Sequence, residues 1–262
     1  FFEYVIADPV VIPDEHRIHY VEQVVYMPHT YMPTDRARQI LASAPNRTDA
    51  GLPTTGFVFA CHNSEYKITP EVFETWMRLL KTVDGSVLWL KTPNPPALVN
   101  LRREANARGV APERLVFAPR LTQAKDHLAR LQLADVFLDT RPYNAHASAC
   151  DALWAGVPVV TCLGNTFPGR VAASVLHAIR LPELVTASLA EYERLAATLA
   201  LDRDRLATIK AKLIRKRGTA PLFDTARFTR DLESAYSIMW KRQQDGLPAA
   251  SFAVNCTPAY AA

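Results

Sequence analysis

Three groups of polar residues follow apolar stretches of this 262-residue sequence, and their residue types suit the binding of a phosphorylated ligand. One group comprises His146, Ala147, Ser148 and Asp151, between the apolar segment 134–140 and a helix-like segment. Small residues at the start of a helix let backbone N–H groups approach an anion such as phosphate. His146 can donate to a phosphate oxygen, and Asp151 can accept from ribose hydroxyls. Packing for His146 and helix capping for Asp151 are the alternatives.

The other two groups add positive charge. Lys67 lies in a loop with Ser64, just before a helix start, where a lysine can meet a diphosphate as a compact cation. Lys125, His127 and Arg130 open a later helix, and the last two share one face, so both can reach one ligand. A solvated loop lysine and an ordinary surface pair are the alternatives. Three such groups at successive strand ends favour a nucleotide site.

The alternation of apolar and amphipathic segments predicts a scaffold that places these strand ends side by side. The predicted strands are 56–61, 86–91, 114–118, 134–140, a segment after Gly156 and a short one at 183–186. The predicted helices are 70–82, 98–108, 122–133, a segment ending at Gly156, 170–179, 188–200, 202–217 and 225–243. Strands separated by helices predict an α/β fold, a doubly wound parallel sheet of the Rossmann type. Ligands bind at the strand ends of such sheets.

Composition and motifs exclude several classes of protein. The net charge is +4, and no apolar run approaches the roughly 20 residues of a membrane span, so we expect a soluble, cytoplasmic protein without a membrane partner. The four cysteines lie far apart, which favours reduced thiols. The basic run 210–217 has helical spacing, which is typical of a solvated helix face and not of a nucleic-acid site. Neither a Gly-x-Gly-x-x-Gly motif nor a P-loop is present, which argues against a NAD enzyme or an ATPase.

The sequence also argues against a metal site. Asp202-Arg203-Asp204 matches the Asp-x-Asp pattern of metal-dependent sugar transfer. It lies between two predicted helices, however, where acidic residues cap and stabilise a first turn. The histidine spacings give no paired ligand motif. We therefore expect no metal and no other cofactor.

Several longer phrases carry a resemblance to a known family. They are Tyr26-Met27-Pro28-His29-Thr30, Tyr66-Lys67-Ile68, Ser86-Val87-Leu88-Trp89-Leu90, Gln132-Leu133-Ala134-Asp135-Val136, Leu153-Trp154-Ala155-Gly156, Arg170-Val171-Ala172-Ala173-Ser174, Pro221-Leu222-Phe223 and Met239-Trp240. Through them the sequence, over roughly residues 20–242, resembles the C-terminal half of the catalytic region of the O-linked N-acetylglucosamine transferases, particularly their bacterial members.

This resemblance implies a GT-B enzyme with two Rossmann-like domains, in which the C-terminal one holds most of a UDP-sugar. It implies metal-independent, inverting transfer of N-acetylglucosamine from UDP-GlcNAc to Ser or Thr of a protein. Residues 51–245 would form the nucleotide-sugar-binding domain, and 1–50 the crossover from an N-terminal catalytic domain. That domain and further N-terminal repeats, which receive the protein acceptor, are not among these 262 residues. Residues 246–262 are interpreted as a tail.

The resemblance also assigns roles to individual residues. Lys67 would contact the diphosphate as a catalytic residue, His146 with Ala147 and Ser148 would bind the diphosphate, and Asp151 the ribose. His127 and Arg130 would lie near the nucleotide.

The sequence departs from animal members at three places. They have Gln where Ser64 stands and Thr-Thr where this chain has Ala147 and Ser148, and Lys125 is offset by one position. Two other functions stay open: a UDP-glucose-dependent transferase that modifies Asn, with the same fold, and a nucleotide-binding regulatory module without catalysis.

Overall fold

Strands and helices alternate along most of the chain. The computed structural model describes residues 2–42 and 45–255. The strands are β1 (Tyr4–Ala7), β2 (Gln23–Tyr26), β3 (Val58–Cys61), β4 (Val87–Lys91), β5 (Leu115–Ala118), β6 (Val136–Leu138), β7 (Val159–Cys162), β8 (Val185–Thr186) and β9 (Phe252–Ala253). The helices are α1 (Pro70–Thr82), α2 (Pro95–Ala107), α3 (Ala124–Leu131), α4 (Ala147–Ala155), α5 (Val171–Ala178), α6 (Leu189–Leu201), α7 (Arg203–Arg217) and α8 (Thr225–Gln244).

Six strands form one parallel sheet in the order β5-β4-β3-β6-β7-β8. From the centre, β3, β4 and β5 step outward in one direction, and β6, β7 and β8 step outward in the other. This is the strand order of a Rossmann sheet, in which ligands bind outside the carboxyl ends of the two strands where the order reverses. The predicted doubly wound sheet is confirmed, and β3 and β6 flank its switch point.

Burial explains why the central strands are continuously apolar. Every residue of β3, β6 and β7 is buried, since helices pack on the sheet, with α1 beside α6 and α3 beside α4. Strands covered on both faces need apolar residues at every position and not only at alternate ones.

Side-chain caps set the starts of the first two helices. Thr69 caps α1 as predicted, with Pro70 in the first helical position. Asn94 caps α2 by accepting from the N–H of Ala97 at 3.0 Å, so this helix begins earlier than the predicted segment 98–108. The Asn-Pro-Pro sequence supplies both a cap and a preset backbone angle for the first turn.

The two charged motifs of the last third of the chain have structural roles. Asp202 caps α7 by accepting from the N–H of Arg205 at 2.9 Å, which confirms that the Asp-x-Asp motif is a helix cap. The basic run 210–217 lies along α7, and Lys210 is 3.6 Å from the carboxylate of Asp135 within the same domain.

The cysteines agree with the prediction as far as they are described. Cys61, Cys150 and Cys162 are buried free thiols, and Cys256 lies outside the described residues. In the described ranges, no helix is long and apolar enough to cross a membrane.

Both end segments of the described chain take part in a second, three-stranded parallel sheet in the order β1-β2-β9. Val25, Met27 and Val254 form a small cluster against Ala235 of α8. The interpretation of residues 246–262 as a tail therefore needs correction at β9, which pairs with β2. A strand of two residues has too little pattern to be read from sequence. Residues 256–262 of this segment lie outside the described residues.

We predict that Gly156→Ala lowers the free energy of unfolding by about 1–2 kcal/mol. Gly156 ends α4 with a φ of 89°, a left-handed conformation that costs energy once a Cβ is present, and that Cβ would lie 2.9 Å from the side chain of Ile214. Gly218→Ala is the matched control, because its φ is −81° and no heavy atom lies within 4 Å of an added Cβ. Urea unfolding of both variants tests this, and equal stabilities would contradict it.

Candidate nucleotide-binding site

The carboxyl ends of β3 and β6 bring the predicted polar groups together. A short 3-10 helix, Glu65–Lys67, follows β3, and the loop 139–146 joins β6 to α4. The side-chain amide of Asn63 donates to the hydroxyl of Thr140 at 2.8 Å and so ties the two strand ends to each other. The site lies at the switch point of the sheet, where the strand order predicts it.

Asp139, the first residue after β6, holds the loop in shape. Its carboxylate accepts from the N–H groups of Thr140 at 2.7 Å and Ala145 at 2.5 Å, and from the hydroxyl of Thr161 at 2.6 Å. It therefore links the start of the loop, its end and β7. Burial raises the pKa of Asp139 to about 7, although these hydrogen bonds and the charge of Lys67 act to lower it.

Lys67 reaches from the β3 side of the site to the loop after β6. Its ammonium donates to the carbonyl of Asn144 at 2.8 Å and lies 3.8 Å from the ring centroid of Tyr143. Burial lowers the pKa of Lys67, and the charge of Asp139 opposes that shift. The lysine is thus a fixed cation beside the start of α4 and not a solvated loop residue.

The start of α4 presents backbone donors and an imidazole. Ala147 and Ser148 are the first helical residues, so their N–H groups have no carbonyl in a preceding turn. The ring of His146 stacks on Tyr143 with centroids 5.0 Å apart, and its Nε2 lies 3.4 Å from the carbonyl of Pro168. Burial lowers the pKa of His146, and the nearby charge of Lys67 lowers it further, against the raising effect of the Pro168 contact.

Asp151, one helical turn into α4, faces α3. Its Oδ2 lies 3.9 Å from Nε2 of His127, and Nδ1 of that ring lies 3.4 Å from Nη2 of Arg130. A guanidinium only donates, so Nδ1 accepts and the ring proton is on Nε2, facing the carboxylate. Burial lowers the pKa of His127, Asp151 raises it and Arg130 lowers it. Arg130 itself is buried and donates to the carbonyl of Pro119 at 2.5 Å.

A buried histidine lies beside this group. His62, directly after β3, packs edge-on against Trp89 with centroids 4.8 Å apart and lies 5.6 Å from the ring of His127. Both ring nitrogens are buried without a hydrogen-bond partner among the described residues. Burial lowers the pKa of His62 well below its usual value, and the charges of His127, Arg130 and Lys91 act in the same direction. The imidazole of His62 is therefore neutral and lies close to positively charged groups.

A cavity of about 430 Å³ adjoins the site through Arg130. Leu41, Trp89, Pro119 and Leu121 give it apolar walls. A larger cavity of about 710 Å³ lies at the amino ends of the strands, among residues such as Phe57, Asp84 and Asp135, on the far side of the sheet. We place the site at the carboxyl ends of the strands, next to the smaller cavity, because the switch point and the start of α4 lie at that edge of the sheet.

The predicted site residues fall into one cluster with a single exception. Ser64 accepts from the ammonium of Lys91 at 3.2 Å, at the edge of this cluster. Lys125 is exposed on the first turn of α3, and in the described chain its ammonium has no hydrogen-bond or ion-pair partner. The residues that the structure brings together are Ser64, Lys67, His127, Arg130, His146, Ala147, Ser148 and Asp151.

The sequence analysis missed four residues of the site. Asp139 directly follows β6 and Asn63 is the second residue after β3, and a position just after a buried strand was a signal that could have found them. Lys91 ends β4 in the same way. Arg38, whose guanidinium pairs with the carboxylate of Asp151, had no such signal, because it lies in a segment without periodicity.

Comparison with known proteins identifies the family. Residues 37–232 match glycosyl transferase family 41. The chain belongs to this family. The predicted relationship to the O-linked N-acetylglucosamine transferases is thereby confirmed, and so is the assignment to the glycosyltransferases.

Two curated relatives show how far the similarity extends. A probable UDP-N-acetylglucosamine–peptide N-acetylglucosaminyltransferase of Arabidopsis thaliana, SEC, is 37% identical over 252 residues, covering 94% of this chain and 26% of the relative. The UDP-N-acetylglucosamine–peptide N-acetylglucosaminyltransferase of Caenorhabditis elegans is 37% identical over 203 residues, which cover 78% of this chain and 18% of that protein. The family 41 member described here thus spans about a quarter of the first relative and less than a fifth of the second.

Solved structures agree with the fold. A mutant O-GlcNAc transferase of Thermobaculum terrenum superposes with a TM-score of 0.84 and 32% identity over 93% of this chain and 46% of that one. The C-terminal domain of a glycosyl transferase group 1 protein from Francisella tularensis gives a TM-score of 0.54 at 12% identity, over 71% of this chain and 97% of that one. The predicted fold, the Rossmann-like C-terminal domain of a GT-B glycosyltransferase, is confirmed.

We predict that the family 41 chain loses stability as pH rises between the two pKa values of Asp139, 3.8 unfolded and about 7 folded. In that window the folded protein keeps a proton that the unfolded chain releases, so the free energy of unfolding falls by up to about 1.4 kcal/mol per pH unit. Asp139→Asn should remove this part of the slope, whatever its absolute stability.

Urea unfolding at several pH values within the window measures the slope. Asp84→Asn, at an exposed carboxylate, is the control and should leave the slope unchanged. A slope that is the same in the wild type and in Asp139→Asn would show that Asp139 titrates alike in both states.

Proposed function

We propose that this chain is the donor-binding part of a glycosyltransferase that transfers N-acetylglucosamine from UDP-GlcNAc to Ser or Thr of proteins. Membership of family 41 supports sugar transfer, and the activities for which the relatives are named support this donor and a peptide acceptor. The chain spans only part of those relatives, and in this proposal the protein acceptor contacts regions N-terminal to it. The catalysis takes place in the cytoplasm.

The order of groups along the site carries the proposal. Lys67, His146 and the start of α4 form an anion-binding end, and Asp151 follows one turn along the helix. His127 and Arg130 come next, and Arg130 borders the apolar cavity. Diphosphate, ribose and base follow each other in the same order in a nucleoside diphosphate. Each part then meets the chemistry that suits it: cations and N–H donors, a carboxylate acceptor, and an apolar cavity.

The same groups supply the chemistry of the leaving group. When the sugar departs, negative charge grows on the diphosphate, and Lys67 with the N–H groups of Ala147 and Ser148 stabilises it. A bound diphosphate also favours the protonated form of His146, which donates from both ring nitrogens. In this proposal these donors serve without a metal or other cofactor.

Calorimetry with UDP tests the proposal directly. We expect this chain to bind UDP with equal affinity in EDTA and in Mg²⁺, because the cations that meet the diphosphate belong to the protein. A strict Mg²⁺ requirement would contradict the metal-independent mechanism, and no binding at all would contradict the assigned site. UDP-GlcNAc and UDP-glucose titrated in parallel separate the proposed donor from that of an Asn-modifying transferase. Absence of turnover by the full-length protein would favour the regulatory module.

We predict that Lys67→Ala weakens UDP binding about ten- to a hundredfold, since a charge-assisted hydrogen bond is worth roughly 1.5–3 kcal/mol. Uridine, which lacks the diphosphate, should bind both proteins alike. In the full-length enzyme the substitution should lower kcat more than it raises KM, because the charge on the diphosphate is greatest in the transition state.

Lys241→Ala, at an exposed lysine of α8, is the charge-matched control. Equal losses of UDP and uridine binding in Lys67→Ala would show that Lys67 supports the fold of the site and does not contact the diphosphate. A kcat within about twofold of the wild type would exclude the catalytic role, since it is below the effect of one such bond.

A further inference from the structure

Arg38 brings a charge into the candidate site from a segment outside the six-stranded sheet. It lies in the segment between β2 and β3, and its Nη1 pairs with Oδ1 of Asp151. The two side chains are 23% and 24% exposed, so the pair is largely shielded from water. An ion pair in such a place holds its partners more firmly than one in open solvent.

The neighbouring contacts fix Arg38 before any ligand is present. Its carbonyl accepts from the indole N–H of Trp154 at 3.0 Å, and its guanidinium lies 5.8 Å from that ring centroid. Its Nε donates to the carbonyl of Asp35 at 3.1 Å. Nearby, the N–H of Leu41 donates to the carbonyl of Lys125 at 3.3 Å, and Leu41 lines the apolar cavity. The segment that carries Arg38 is thus attached to both helices of the site.

Within the described part of the chain, the pair leaves one carboxylate oxygen of Asp151 without a hydrogen bond. Oδ1 accepts from Arg38, while Oδ2 faces His127 at 3.9 Å, too far for a hydrogen bond. The Nη2 of Arg38 is also buried without a partner among the described residues. Oδ2 of Asp151 is not among the buried unpartnered atoms, so it is accessible and can accept from the hydroxyl groups of a ligand.

We propose that Arg38 positions Asp151 for the ribose: it holds Oδ1, so that Oδ2 is turned toward the hydroxyls of the bound nucleotide. The inference rests on the proposed function, in which Asp151 accepts from the ribose. Arg38 acts through Asp151 and does not itself contact the hydroxyls. A segment outside the sheet thereby determines how the carboxylate of Asp151, in α4, recognises a ribonucleotide.

The preference for UDP over 2′,3′-dideoxy-UDP measures this role, because the analogue lacks both hydroxyls. By calorimetry we expect the wild type to prefer UDP by about tenfold or more, the lower end of what a hydrogen bond to a charged group is worth. Asp151→Ala should abolish the preference. In Arg38→Ala the preference for UDP should fall to about threefold or less, and the affinity for the dideoxy analogue should be unchanged. Arg38→Lys, which keeps a donor, should restore part of it.

Two controls keep the outcomes distinct. Arg36→Ala removes an exposed arginine from the same segment and should leave both affinities unchanged. The double variant of Arg38→Ala and Asp151→Ala should lose no more preference than Asp151→Ala alone. Thermal unfolding shows whether each variant folds. If Arg38→Ala does not fold, the preference measured for Arg38→Lys tests the inference in its place.

The results that would overturn the inference are separate from those that would overturn the function. If Asp151→Ala loses the preference but Arg38→Ala and Arg38→Lys keep all of it, Arg38 does not position the carboxylate. Equal weakening of UDP and the dideoxy analogue in Arg38→Ala would make Arg38 a structural residue only. A wild type that binds UDP without any preference would refute the ribose role of Asp151 and the inference with it. Lack of UDP binding would refute the proposed function itself.

Discussion

The buried carboxylate of Asp139 is the interaction on which the shape of the site depends. It connects the end of β6 to the start of α4 and to β7 through three hydrogen bonds. Its backbone carbonyl accepts from the hydroxyl of Tyr192 at 3.0 Å, and that hydroxyl accepts from the indole of Trp76 at 3.0 Å. A turn stabilised in this way keeps the first N–H groups of α4 and the carbonyl that binds Lys67 at fixed positions. The hydrogen bonds of Asp139 therefore hold the loop of the candidate site in one position relative to the centre of the sheet.

The candidate site has more groups that can carry positive charge than groups that carry negative charge. Burial lowers the pKa of Lys67, His127 and His146, which means that each of these groups is less well solvated as a cation than it would be in water. An anion that enters the site reverses that penalty and gains backbone donors at the same time. Asp151 provides a carboxylate near the middle of the site, and Arg38 neutralises it. The site is thus built for a ligand whose charge is at one end only.

The sequence allowed the parallel sheet and most residues of the candidate site to be predicted, because these features depend on local pattern. Apolar strands, helix caps and the glycine after α4 each leave a signal within a few residues. Contacts between distant segments leave none: Arg38 and Asp151 are 113 positions apart, and β9 pairs with β2 across most of the chain. Lys125 stays a prediction: its charge and position fit the pattern, and its side chain is exposed on the first turn of α3.

The small sheet has a consequence for the order of folding. The N–H of Val24 donates to the hydroxyl of Ser251 at 2.8 Å, across 227 positions. Closing so long a loop removes conformational entropy before any contact stabilises it, and contacts of large sequence separation form slowly. All pairs within the large sheet except that of β3 with β6 join consecutive strand–helix–strand units and close much shorter loops. The large sheet and its helices can therefore assemble first, and strand β9 can then pair with β2.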